Sequence, residues 1–260
     1  VLGQVNYNPA ATAALFGSLT PTNSEAGQID GPDFSTPAGN NAEFSVSAWV
    51  NGSAYAQTLN AGIVCKGNPT DEEFSLNEGA FGADFRFDVR SAAGALYAAR
   101  STINATNASP NNGWYHLLGV CDEANSNVLL YVNGALAAQI SIPALSGITN
   151  SSGEPLSLGA RAASVTSGNT EQFIGEMSDV AIYGYALSAN QAQTLYNGGA
   201  LTPPTVSLMG TGNNLTINFT GTLLSATNVA GPYLPVPGAA SPTYAVPMTN
   251  SQMFYRASNQ

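Results

Sequence analysis

Charge is what this chain most lacks. Asp, Glu, Lys and Arg make up 8% of its 260 residues, where soluble domains usually carry about 25%. After Asp179 a single charged residue, Arg256, stands in the last 81 positions. Lysine is reduced to Lys66, and six bases against 16 acids leave a net charge of -10. Nucleic acid and anionic membrane surfaces both need clustered Lys and Arg, so neither is expected as a partner. The one histidine, His116, excludes a histidine-rich zinc site. No apolar run approaches the roughly 18–20 residues of a membrane-crossing helix, so no membrane insertion is expected. The chain starts at Val1 without methionine or a basic, apolar leader, which reads as a processed, exported protein.

Cysteine is scarce too. Cys65 and Cys121 are too few for a disulfide scaffold. They could form one bridge if their strands are neighbours, or stay as two buried thiols acting as small hydrophobes. An exported chain permits either state.

The hydrophobic fraction, 44%, is ordinary, so neutral polar residues replace the missing charge. Charges of both signs normally keep a soluble monomer from associating. A surface without them suits an extracellular chain that is covered by glycan or packed against copies of itself. Six Asn-x-Ser/Thr sequons occur, at Asn51, Asn104, Asn107, Asn150, Asn214 and Asn218. The 26 asparagines and the Ser/Thr content produce about that number by chance, so they do not mark a glycoprotein.

Strand alternation dominates. Phe44, Val46, Ala48 and Val50 alternate with Ser45, Ser47 and Trp49, and Phe85, Phe87 and Val89 alternate with Asp84, Arg86, Asp88 and Arg90. Period two puts one set inside and the other outside. Asn133-Gly134 after an apolar run is a type I′ hairpin turn. Ser188 is a fitting N-cap for one helix over 189–196, closed by Asn197-Gly-Gly199. Leu201-Thr-Pro-Pro204 cannot continue strand or helix and reads as a linker. The expected division is a domain over 1–200, a linker over 201–204 and a small β domain over 205–260. The fold class is all-β, an antiparallel sandwich.

Six pieces in order carry a family resemblance: Phe44-Ser-Val-Ser-Ala-Trp-Val50, Gly62-Ile-Val-Cys-Lys-Gly67, Trp114-Tyr-His-Leu-Leu118, Leu130-Tyr-Val-Asn-Gly134, Leu158-Gly159 and Gly175-Glu-Met-Ser-Asp-Val-Ala-Ile-Tyr183. Over about residues 20–200 the chain resembles laminin-G-like, concanavalin A-like jelly-roll domains. Leu224-Ser-Ala-Thr-Asn228, Gly231-Pro-Tyr233 and Phe254-Tyr-Arg256 resemble a small C-terminal β module of secreted bacterial proteins. The jelly-roll resemblance implies carbohydrate binding or cell adhesion in some members and glucanase activity in others. It also implies a structural calcium, held in part by an acid on the Gly-x-x-Asp-x-Val strand. That position is Ser178 here, with Asp179 beside it.

Hydrolysis finds no support in the residues. Glycoside cleavage needs two carboxyls about 5–9 Å apart, one protonated and one ionised. No Glu-x-Asp-x-Glu strand exists, Asp71-Glu-Glu73 reads as a solvated loop, and Glu171 and Glu176 do not form a pair. His116, just after Trp114, reads as structural. Asp30 and Asp33 offer hard oxygens for calcium, or form an Asp-Gly turn. Asp84, Arg86, Asp88 and Arg90 put four charges on one strand face in a charge-poor chain. With Trp49 as an aromatic platform they form a candidate glycan site. Read without a ligand, the same row is a cross-strand ionic ladder.

Two function classes follow. One is a non-catalytic extracellular structural protein that associates with copies of itself into a surface layer or fibre, since neutral strand edges pair readily. The other is a carbohydrate-binding or adhesion module with glycans as partners.

Overall fold

A computed structural model describes residues 14–16, 27–29, 31–52, 57–79, 84–103, 113–151, 153–162, 169–199, 205–211, 214–247 and 252–258, and the stretches with period-two alternation at 44–50 and 85–90 are strands in it. The contacts divide the chain into two units, Val1–Gly199 and Ala200–Gln260. Residues 201–204, expected as a linker, lie outside the described residues.

In the first unit the strands run β1 (Ala14–Phe16), β2 (Gly27–Ile29), β3 (Glu43–Gly52), β4 (Ala61–Lys66), β5 (Phe74–Glu78), β6 (Phe85–Arg90), β7 (Leu96–Arg100), β8 (Tyr115–Asp122), β9 (Asn127–Val132), β10 (Ala135–Ser141), β11 (Leu156–Leu158), β12 (Arg161–Ala162), β13 (Asn169–Thr170) and β14 (Gly175–Tyr183). Two six-stranded antiparallel sheets result, in the orders β1-β14-β3-β8-β9-β10 and β2-β11-β4-β5-β6-β7, with β12-β13 as a separate ribbon. This is a jelly-roll sandwich. Phe44, Val46, Ala48 and Val50 of β3 meet Phe74, Leu76, Phe85, Phe87 and Val89 of the other sheet in one core. Phe44 lies between the rings of Phe34, Phe74 and Phe87, with centroids 4.5, 5.5 and 6.2 Å away. A β8 side chain at position 119 would collide with the ring of Phe87, and the residue there is glycine. Asn133 and Gly134 turn β9 into β10 at φ 51° and 76°, as a type I′ turn demands.

The helix α1 (Ala189–Tyr196) begins with a capping box between Ser188 and Gln191. It covers the outer face of the first sheet, so Trp49 does not look outward. Trp49 is 3% exposed and stacks on Tyr196 of α1, centroids 5.8 Å apart, with His116 at 5.3 Å. Alternation alone put Trp49 opposite the core. It did not show that a helix would bury that face as well.

Cys65 and Cys121 sit in different sheets, on β4 and β8, and both are free, buried thiols. Cys65 Sγ lies 3.2 Å from Ser75 Oγ, and Cys121 Sγ lies 3.7 Å from the carbonyl of Ala42. Of the two states open to them, the structure holds the unbridged one.

The second unit has six strands among its described residues: β15 (Val206–Thr211), β16 (Asn214–Phe219), β17 (Thr222–Ala226), β18 (Leu234–Pro235), β19 (Thr243–Ala245) and β20 (Phe254–Ser258). They form two three-stranded sheets, β15-β16-β19 and β18-β17-β20. Their core is small: Ile217, Phe219, Leu223 and Val236. The guanidinium of Arg256 lies 4.7 Å above the ring of Tyr233.

Candidate functional site

The alternation on β6 places Phe85, Phe87 and Val89 in the core and turns Arg86, Asp88 and Arg90 to the other face of the sheet. The neighbouring strands extend that face. Ser75 and Asn77 of β5 stand opposite Asp88 and Arg86, Cys65 of β4 stands opposite Ser75, and Ser157 of β11 opposite Cys65. On the edge strand β7, Arg100 stands opposite Arg86.

Residues 159–161 and 171–173 are tied to the sheet beside this face. Gly62 N–H donates to Glu171 O at 2.7 Å, and Thr58 Oγ1 donates to Gln172 O at 2.9 Å. The approach is so close that a Cβ on Gly62 would strike the backbone of Ala160. Arg161 is thereby carried onto the sheet. Its Nε–H donates to Ser75 Oγ at 3.1 Å and its Nη1 to Glu171 at 3.1 Å. Its Nη2 reaches Glu72 at 3.4 Å and Asp88 at 3.9 Å. Glu72 is shared, since Arg90 Nη2 donates to its other oxygen at 3.1 Å. Arg86 Nε donates to Asp84 at 2.7 Å, and Asn77 Nδ2 to Asp88 at 2.9 Å.

So Asp84, Arg86, Asp88 and Arg90 do come together, but within a layer that is largely closed to solvent. Asp88 is 6% exposed. Burial pushes its carboxyl above the usual range, against the hydrogen bond from Asn77 and the charge of Arg161. Burial likewise raises Glu72 against Arg161 and Arg90. Cys65, buried next to Ser75 and Arg161, is pushed up to about 11.

Glu72 corrects the expectation of a solvated loop. It is 1% exposed, and Glu73 is buried as well, accepting from Phe34 N–H at 2.9 Å and Ser151 Oγ at 2.8 Å. Arg161, Ser75 and Asn77 were not singled out from the sequence, and Glu72 and Glu171 were weighed only as hydrolytic carboxyls and set aside. One signal for them existed: in a chain with five arginines, each guanidinium that is buried must find a carboxylate.

Trp49 is not part of this face, since it belongs to the other sheet. Asp30 lies outside the described residues. Asp33 is exposed and accepts from Ser35 N–H at 2.8 Å, and hydrogen bonds from Ser35 hold its carboxyl below the usual range. Calcium takes six to eight oxygens. Among the described residues no three His, Cys, Asp or Glu side chains gather to hold a metal. Ser178 donates to Asp179 at a bulge of β14.

His116, the lone histidine, is enclosed by Trp49 and Tyr196 with Nε2 2.9 Å from Ser47 Oγ. Burial lowers its pKa to about 4, against the charge of Asp179. Ser47 itself is 4% exposed, in the middle of β3.

The model of a family described as the concanavalin A-like lectin/glucanases superfamily matches residues 23–193. The binding domain of botulinum neurotoxin serotype G is similar with a TM-score of 0.52 and 17% identity, over 70% of this chain and 41% of that one. A native heptameric SAP-like pentraxin from Limulus polyphemus is similar with a TM-score of 0.51 and 14% identity, over 74% of this chain and 84% of that one. At these identities the likeness is one of fold. No curated protein sequence matches the chain.

Proposed function

The chain belongs to the concanavalin A-like lectin/glucanases superfamily, and we propose on that premise that its first unit is a non-catalytic, extracellular carbohydrate-binding module. The observation that carries this reading is the polar layer on the outer face of the second sheet, whose rim side chains Asp84, Arg86, Arg90 and Glu171 are 11–23% exposed. A jelly roll needs only one apolar face per sheet to form its core. Here the opposite face holds guanidiniums, carboxylates, amides and hydroxyls in mutual contact, which is costly to assemble for stability alone. Guanidiniums, carboxylates and amides in fixed positions are the groups that bind sugar hydroxyls.

The family also contains glucanases, and binding is favoured over hydrolysis by the position of Arg161. Glu72 and Asp88 both lie within 4 Å of one nitrogen of Arg161. A guanidinium between two carboxyls occupies the space where a scissile glycosidic oxygen would have to sit.

The test is a glycan array probed with labelled protein, followed by titration calorimetry on any hit. Arg86→Ala and Arg90→Ala should each weaken binding about ten- to a hundredfold, the loss of one charged hydrogen bond or two. Binding to no glycan, or binding unaffected by both variants, overturns the reading.

A second reading, association with copies of itself, is favoured by one strand of the second unit. Val206, Leu208 and Met209 of β15 are all about half exposed or more, on a sheet edge without a charge. Such edges pair with other strands. Sedimentation velocity over about a hundredfold range of concentration tests it, and a constant monomer rules it out.

A further inference from the structure

The first unit has a hollow open to solvent beyond the end of β6, outside the polar face. We infer that this cavity of about 200 Å³ is a second sugar site, which takes one uncharged monosaccharide residue such as the end of a glycan chain. The inference rests on the carbohydrate-binding reading and adds a site to it.

Three stretches far apart in the chain build it: residues 35–37, Ala92 in the turn after β6, and residues 148–150. Thr36 and Ile148 exchange both backbone hydrogen bonds, at 3.0 and 2.9 Å. Thr149 N–H donates to Arg90 O at 3.0 Å, and Ala92 N–H to Gly147 O at 3.1 Å. Gly147 takes φ 62°, and a Cβ there would strike the backbone of Thr36 and Pro37, so the walls meet only because this residue is glycine. Two fully buried carboxylates hold the walls in place. Glu73 accepts from Phe34 N–H at 2.9 Å and from Ser151 Oγ at 2.8 Å, joining one wall to the other. Glu123 accepts from the N–H groups of Ala42 and Gly147, both at 3.1 Å. Carboxylates are costly to bury, and walls fixed in advance spare a ligand the cost of ordering them. The mouth is open, since Pro37, Ala92 and Asn150 are exposed.

The lining says what would fit. None of its residues is charged, and an anion would need a cation or free N–H groups. The N–H groups of Ser35, Thr36, Ala92, Ile148 and Thr149 are all committed to partners inside the fold. Ser35 and Thr36 also commit their hydroxyl protons, to Asp33 and to the carbonyl of Phe34. These two hydroxyls keep their accepting capacity, and Thr149 Oγ1, which has no partner among the described residues, donates as well as accepts. A sugar hydroxyl also does both, whereas a carboxylate or sulfate brings acceptors only. Asp33, exposed beside the first wall, adds a negative charge that repels an acid. Pro37, Ala92 and Ile148 supply aliphatic surface for the C–H face of a ring. Sites for drug-sized ligands measure about 300–1,000 Å³, so this smaller cavity suits one ring and not a chain of them.

The experiment is saturation-transfer NMR followed by titration of the full chain. The uncharged probes are the methyl glycosides of glucose, galactose, mannose, xylose, arabinofuranose, fucose and N-acetylglucosamine, and the charged probes are glucuronic and galacturonic acid. At least one uncharged probe should bind with a Kd of about a millimolar, the scale of so small a ligand, and about tenfold or more tighter than either acid. Ala92→Leu, at an exposed position, fills the cavity and should weaken that binding about tenfold or more. Thr149→Val removes one hydroxyl at nearly constant volume and should weaken it about three- to tenfold. Both variants are compared at an unchanged thermal midpoint. Binding that both variants leave unchanged, or an acid bound more tightly, overturns the inference. If Arg86→Ala or Arg90→Ala abolishes that same binding, the carbohydrate-binding reading stands without the cavity. If no probe binds, the cavity site alone is overturned, and the glycan array with its Arg86 and Arg90 variants decides the wider reading.

Discussion

Arg161 donates its Nε–H to Ser75 Oγ at 3.1 Å, across 86 positions of sequence. That bond lays a guanidinium on the outer face of a sheet and gathers Glu72, Asp88 and Glu171 around it. Burial works against a charge at this spot, and the carboxylates around Arg161 outweigh it and keep the group charged.

Arg161→Ala should therefore destabilise the first unit by about 3–5 kcal/mol, because Glu72 and Asp88 would be left as buried charges short of a partner. Arg161→Lys should recover only part of this, since an ammonium cannot reach Ser75, Glu72 and Glu171 together. Urea unfolding of the three proteins checks both statements.

His116 makes stability depend on pH. Its pKa falls from 6.5 in the free side chain to about 4 in the fold, so below pH 6.5 the unfolded chain binds the extra proton first. The contribution is complete above pH 6.5 and is lost as pH drops towards 4. Between pH 7.5 and 4.5 the loss is about 2–3 kcal/mol. Glu72, Glu73 and Asp88, with raised values, shift stability the opposite way. The clean measurement is thus the difference between the wild type and His116→Phe at the two pH values, which should shrink by that amount at the lower one.

Gly119→Ala pushes a methyl group into the ring of Phe87. Overpacking of a closed core costs about 1–3 kcal/mol. Adding Phe87→Leu should cost less in the Gly119→Ala variant than in the wild type, a coupling that a double-mutant cycle would register.

Both cysteines should be silent in the native protein. Burial raises Cys65 to about 11 and Cys121 well above its ordinary value, and a thiol reacts through its thiolate. A thiol reagent should label neither in buffer and both in denaturant. An intact mass two hydrogens lighter than the reduced chain would contradict the free thiols.

Much of the fold was legible in the chain itself. Alternation over 44–50 and 85–90 marked strands and their inner faces, Asn133-Gly134 marked a hairpin, and Ser188 ahead of 189–196 marked the one helix. These are local signals, each held in a short stretch of chain. The row Asp84, Arg86, Asp88, Arg90 was legible for the same reason. Its partners were not, because Glu72 sits in an acidic run that looks solvated and Arg161 in a stretch without a pattern.

By itself the sequence determined the class of fold, the inward set of side chains and the poverty of charge, since period, turn chemistry and composition act along the chain. Only the tertiary structure decided that Trp49 and His116 lie under a helix, that the cysteines stand in different sheets, and that Arg161 joins Glu72 to Asp88. Those outcomes depend on what covers the second face of each sheet, and coverage is set by packing between segments far apart in the chain.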